Sequence, residues 1–440
     1  MKRCLAFMVA VTFLIGVILF STQFDLTANA ASSKVIKLTY YSTSAEVNTM
    51  FEKMFKRFHE LNPNIVVELI PIGVGEGQLE KLQSLYASRN APTAANIDAG
   101  VARLFKDKLL EFDPKIDKWL SLIEKDALYA GMDNGKIIGI PFSVQGYGLL
   151  YNKRVVEKAI GGKFDPYSIR TRNDLENLFK KIEKIGVAPT LIHGANWSLG
   201  AHYLGLVYSA QSRKMEDGMK FIEDLKKGKV KLIENKIFNG YMDTFDLLKK
   251  YNLRKKDPLV ADYFKDVQDF AQGKCATFFM GDWAWTVMNT IKNKDKEFGL
   301  IPVPWSNNPN DYGNTQIAYS APKVQVIDKS QNSVEKQKAA KKLLEWMHAT
   351  KEGQKFYHDA GFLMPYKNFD KTGLNPLVSS TAEYVKKGLV LNIGAYVYNP
   401  LPLDFWEKTG ASMQKYLAGK IDRKQLAKEI EDYWKSKANK

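Results

Sequence analysis

The chain has 440 residues, 45% hydrophobic and 25% charged, a globular composition large enough for one large or two medium domains. Its formal charge of +16 is spread along lysine–glutamate faces such as Lys180-Lys181-Ile182-Glu183-Lys184, with no nucleic-acid motif beside it, so nucleic acid is not the expected partner. Aromatics make up 12% of residues, leaving some for binding surfaces once the core is filled.

In chain order, the first element is a leader. Met1-Lys2-Arg3 is a positive start, residues 5–20 form an apolar run, and Ala28-Asn29-Ala30 is a small-x-small site. This is the layout of a secretory signal peptide over residues 1–30, with cleavage expected before Ala31. The alternative is an uncleaved anchor, for which the run is short against a span of about 20 residues. Cys4 lies in the leader, so Cys275 is the one thiol left after cleavage and no intramolecular disulfide can form.

Residues 35–41 then read as a strand. Thr43-Ser44-Ala45-Glu46 has the form of a capping box. Val47, Met50, Phe51, Met54, Phe55, Phe58 and Leu61 share one helical face before Asn62-Pro63-Asn64 stops the helix, and residues 65–70 are the next strand. Strand–helix–strand is a βαβ unit. Helices are expected at 81–88, 103–110, 173–185, 214–226, 334–349 and 422–434. Extended runs are expected at 94–98, 136–141, 187–192, 276–280 and 299–302. The fold class is α/β, without internal repeats or a flexible tether, so any two lobes are woven together by several crossings.

Several chemistries have no signature here. The chain lacks a dinucleotide glycine fingerprint, a phosphate loop, His-Glu-x-x-His, CxxC and a Gly-x-Ser-x-Gly elbow. Its histidines, His59, His193, His202, His348 and His358, are scattered and read as surface or core residues. No cofactor and no metal are expected. A secreted glycosidase needs only two carboxylates, for which Asp98, Asp282 and Glu407 are available.

The informative stretch is Phe270-Ala271-Gln272-Gly273-Lys274-Cys275-Ala276 followed by Phe278-Phe279-Met280-Gly281-Asp282-Trp283-Ala284-Trp285. It resembles a segment of extracellular solute-binding proteins of carbohydrate ABC importers, and Gly-x-Trp-Ala-Trp is similar to the maltose- and maltodextrin-binding members. Asn134-Gly135-Lys136 through Leu149-Leu150-Tyr151-Asn152-Lys153 resembles the family's first lobe crossing, and Gly361-Phe362-Leu363-Met364-Pro365 its third. Asp282 stands where maltodextrin binders carry proline, and several of their charged cleft positions have no match.

The resemblance implies two lobes around a central ligand cleft. The N-lobe takes 35–143 and 318–362, the C-lobe 148–312 and 367–440, and the crossings fall at 144–147, 313–317 and 363–366. It implies a sugar stacked on Trp283, Trp197 and Trp406, because a pyranose has an apolar C–H face that packs on an indole. Trp285 is the core member of the pair. Asp98, at a strand's carboxyl end, is a hydroxyl acceptor or a helix cap. Gln145 is a hydroxyl partner or an ordinary hinge residue. Tyr41 and Ser42 belong to the rim by position, and Asp282 and Tyr312 complete the candidate set. The implied partners are an oligosaccharide and the permease subunits of an importer, with the protein a monomer outside the cytoplasm. The alternatives are a binder of a non-sugar solute and a carbohydrate-active enzyme.

Overall fold

A computed structural model describes residues 35–44, 47–72, 77–399, 401–402 and 404–438. The leader, and Ala45 and Glu46 of the expected capping box, lie outside the described residues. Thr43 is used differently from a helix cap: its hydroxyl donates to the Asn96 carbonyl at 2.8 Å.

The strands in chain order are β1 (Ile36–Ser42), β2 (Ile65–Pro71), β3 (Ala94–Asp98), β4 (Met132–Asp133), β5 (Lys136–Ile137), β6 (Ile140–Pro141) and β7 (Gln145–Asn152). They continue with β8 (Ala188–Ile192), β9 (Cys275–Gly281), β10 (Phe298–Ile301), β11 (Ile317–Ser320), β12 (Lys323–Ile327) and β13 (Val390–Asn392). They build two main sheets. The first has the order β2-β1-β3-β12-β6; in the second, β13-β11-β7-β9-β8, β10 also pairs with β7. The β4–β5 pair is a small separate hairpin.

Each sheet has its own hydrophobic core. In the first, β1 and β2 run parallel, joined by helix Asn48–Leu61, which buries Met50, Phe51, Met54, Phe55 and Phe58 against the sheet. Leu61, the last residue of that pattern, is exposed. In the second, all seven residues of β9 are buried, as suits a central strand covered on both faces. Helices Arg172–Lys184, Met215–Lys226, Val334–Ala349 and Arg423–Lys435 lie where the periodicity predicts them. The helix expected at 103–110 instead covers Ala99–Leu104, starting directly from β3. It stops there because Leu109 and Leu110 turn their backbones to the end of β12, with Leu110 N donating to Ile327 O at 2.8 Å.

Three crossings join the lobes. The first runs from β6 to β7. The second differs from the expected 313–317: β11 pairs with both β7 and β13 in the second sheet, so the chain passes over at Ala321 and Pro322 into β12. The third falls later than 363–366. Leu363 bridges Val144, Tyr366 bridges Ile123, and Tyr366 and Phe369 are buried in the first core, so the chain leaves that lobe between Phe369 and helix Pro376–Lys386.

The first core also holds a polar group. His348 is fully buried, and its Nε2–H donates to the Gln325 amide oxygen, while the Gln325 amide nitrogen donates to the Tyr40 hydroxyl. Burial lowers the imidazole pKa from 6.5 to about 3. The folded state therefore resists a proton that the unfolded chain accepts. The resulting stability is complete above pH 6.5 and declines as pH falls toward 3. We expect the thermal midpoint to fall through that window, and His348→Gln to flatten the slope between pH 6.5 and 4 even though it lowers stability at pH 7. An unchanged slope, read by calorimetry, would exclude this origin.

Candidate functional site

The tryptophan motif sits at the carboxyl end of β9. Trp283 lies in a single 3-10 turn, Asp282–Ala284, and its ring folds back over the preceding glycine. A Cβ at Gly281 would lie 1.9 Å from that ring, so the Gly-x-Trp spacing is a steric requirement.

The Trp283 indole meets the His202 imidazole at 5.1 Å between centroids, and His202 meets Trp197 at 5.4 Å. Tyr147 closes the group, 4.9 Å from His202 and 6.2 Å from Trp283, and its hydroxyl donates to the His202 carbonyl at 3.0 Å. Trp197, His202 and Trp283 are all half-buried, so each keeps accessible surface. The meeting of Trp197 and His202 depends on local backbone. Residues Trp197–Tyr203 form a π-helical turn, whose wider winding brings residues five apart onto one face. Desolvation, with a smaller push from His193, lowers the His202 pKa to about 4. The ring is therefore neutral at physiological pH, offering one donor and one acceptor between apolar faces. Sequence reading missed it because a 3.6-residue period separates 197 from 202.

Trp406 opens helix Phe405–Leu417, which packs tightly on this same π-helical turn. A Cβ at Gly200 would lie 2.2 Å from the Trp406 carbonyl oxygen, and one at Gly410 would lie 2.4 Å from the Asn196 carbonyl. Two glycines thus let the elements bearing Trp197 and Trp406 touch backbone to backbone.

Asp98 ends β3 on the first lobe. It occupies a helix cap position without making a cap bond, and its carboxylate pairs with Lys323 Nζ at 2.6 Å while remaining half-exposed. It faces the second lobe. The Tyr396 phenol pKa is pushed up chiefly by burial and also by the Asp98 charge, and its hydroxyl lies 3.3 Å from that of Tyr147. The lobes touch nearby, where a Cβ at Gly100 would lie 3.1 Å from the Asn399 carbonyl. Gln145 is half-buried at the start of β7, opposite Ser320, where the first two crossings run side by side.

Four expected residues are used otherwise. Tyr41 and Ser42 are fully buried; Tyr41 donates to Gln78 O at 2.7 Å and Ser42 to Ser44 O at 3.3 Å, so neither presents a free rim group. Tyr312 lies beneath the Arg213 guanidinium at 4.6 Å, its main-chain carbonyl accepting from Trp305 Nε1. Asp282 is buried, and one carboxylate oxygen accepts from Gly146 N at 2.9 Å and Thr381 Oγ1 at 2.8 Å. It organises the fold around the site. Trp285 packs on Phe298 in the core beside β9. Among the described residues no cluster of His, Cys, Asp or Glu is placed to hold a metal, and Cys275 is buried. A cavity of ≈430 Å³ lies at the crossings rather than at the indoles, lined by Val144, Leu363 and helix Pro376–Lys386.

Residues 53–384 match the bacterial extracellular solute-binding proteins, and the chain belongs to that family. An uncharacterised ABC transporter extracellular-binding protein of Pyrococcus horikoshii is 24% identical over 61% of this chain and 60% of its own length. A "Probable sugar-binding periplasmic protein" of Mesorhizobium japonicum is 25% identical over 44% of this chain and 47% of its own. The chain thus spans about half to three-fifths of these relatives. The solute-binding protein RafE in complex with raffinose shares the two-lobed fold, with a TM-score of 0.76, 18% identity, and coverage of 92% of this chain and 100% of that one.

Three variants at two positions test the site's framework. Burial raises the Asp282 pKa to about 7, against the lowering effect of its hydrogen bonds. Folding therefore favours the protonated acid: the stability it contributes is complete below about pH 4 and lost as pH rises through 7. Asp282→Asn should keep both accepted bonds and remove this pH dependence, whereas Asp282→Ala should cost about 1–3 kcal/mol through the unpaired Gly146 amide. A Gly200→Val variant should cost about 1–3 kcal/mol by overpacking on Trp406; an unaltered melting temperature would contradict that close approach.

Proposed function

We propose that this protein captures an oligosaccharide between its lobes and delivers it to the permease of an ABC importer. The observation that carries the reading is the half-buried group of Trp197, His202 and Trp283 on the second lobe of a two-lobed fold. Indole faces suit the C–H face of a pyranose, and the neutral imidazole, Asp98 and Gln145 offer the donors and acceptors that hydroxyls need. Trp406 supplies a further indole on the packed neighbouring helix. The raffinose complex of RafE and the sugar-binding name of the Mesorhizobium relative support the ligand class.

The lobes move about the crossings, and a ligand touching both shifts the equilibrium toward the closed form. We take the N-lobe as 35–143 with 318–362, continued through Phe369 in the first core, and the C-lobe as 148–312 with the chain from helix Pro376–Lys386 onward, β11 pairing in the second sheet. The mature chain starts at Ala31, outside the cytoplasm, and acts as a monomer that leaves its ligand chemically unchanged.

A thermal-shift screen over neutral and acidic oligosaccharides tests the reading. A ligand at 100 times its Kd should stabilise the protein by about 2.7 kcal/mol. Trp283→Ala should then weaken the best ligand by about 2 kcal/mol, roughly thirtyfold in Kd. Release of reducing sugar by the pure protein would favour a carbohydrate-active enzyme instead, and equal affinity in Trp283→Ala would remove this indole from the site.

A further inference from the structure

Large apolar side chains are seldom exposed in adjacent groups on a soluble protein. Here Leu259, Val260 and Phe264 are exposed by 44%, 36% and 55% within six residues of chain. They adjoin the segment that carries Trp197. A Cβ at Gly194 would lie 2.7 Å from Pro258 O and 3.1 Å from Leu259 Cα, so the loop bearing Leu259 is pressed against the loop that leads into Trp197.

The rings continue without a break. Trp197 meets Tyr263 at 6.2 Å, and Tyr263 meets Phe264 at 5.8 Å. With the inner contacts of 5.1 Å and 5.4 Å, the path runs Trp283, His202, Trp197, Tyr263, Phe264. Exposure rises along it, from half-buried indoles inside to the open face of Phe264.

We propose that this path is a glycan track open at its outer end, with Phe264 and Leu259 forming a subsite for sugar rings beyond those held at Trp283 and Trp197. The proposal rests on the sugar-binding reading and deepens it: the ligand is a chain longer than a disaccharide, and chain length is sensed at Phe264. The chemistry favours this occupant. An outer ring can lay its C–H face on an exposed phenyl while its hydroxyls stay in water, so the subsite needs no buried polar partners. Continuity with the inner indoles distinguishes it from an isolated sticky patch.

Isothermal titration of the mature protein with malto-, xylo- and chito-oligosaccharides of two to six rings tests it, on wild type and Phe264→Ala. Phe264 is exposed, so its truncation should leave the melting temperature unchanged. In whichever series binds, wild-type affinity should rise with ring number. Phe264→Ala should lower affinity for the longest chain by roughly threefold to tenfold and leave the disaccharide unaffected. Affinity independent of length, or equal losses at every length, would overturn the track while leaving sugar binding intact. If wild type binds none of these series and no sugar in the neutral and acidic screen, the sugar reading falls and the track falls with it. If Phe264→Ala binds every chain normally but fails only in uptake through the importer, the patch belongs to the permease and the proposal is wrong.

Discussion

The Asp282 carboxylate accepts hydrogen bonds from the Gly146 amide and the Thr381 hydroxyl, and these two bonds join three parts of the chain. Gly146 lies at the start of β7, just past the first crossing. Thr381 belongs to the helix that follows the third. Asp282 itself begins the turn that holds up Trp283. The junction closes only because residue 146 has no side chain, since a Cβ there would lie 2.5 Å from the Thr381 hydroxyl oxygen. A buried acid without a cationic partner is costly when charged. It is tolerated here because it is the acceptor that both neighbours need, and its raised pKa is the visible consequence.

This junction joins the turn that holds Trp283 to the chain passages between lobes. The turn bearing Trp283 is tied to two of the three crossings, so in the proposed reading a ligand on the indole acts on the elements that move when the lobes close. On the far side, Asp98 is held by Lys323, the first residue after the second crossing. Asp98 and the turn bearing Trp283 are therefore each tied to residues near the chain passages between lobes. The proposed capture by closure draws on that arrangement, because a ligand shifts the equilibrium only through contacts that differ between the open and closed forms.

Much of the fold was legible in the sequence, since regular periodicity reports burial on one face of one element. The face of helix Asn48–Leu61, the buried run of β9 and several helix positions follow from residue spacing. The site was legible where a steric rule is written into a short motif: Gly281 before Trp283 is such a rule. It was illegible where backbone departs from the regular period. His202 joins the indoles through a π-helical turn, and Leu109 and Leu110 leave their helix to bond near β12. Tyr41 and Ser42 stand at a strand end, which suggested the rim, but their hydroxyls are used within the first lobe. Position along a strand says nothing of what covers it.

Residue order alone carries the α/β class and the tryptophan motif with its glycine, because each depends on residues close in the chain. Only the tertiary structure decided which aromatic rings share a surface. Trp197, His202, Trp283, Tyr263 and Phe264 come from three separate stretches, brought together by the π-helical turn, the turn at the end of β9 and the loop pressed against Gly194. It also decided that Asp282, the departure within the motif, serves the hinge. A carboxylate's role is set by the donors that surround it, and here those come from residues more than 90 positions away in each direction.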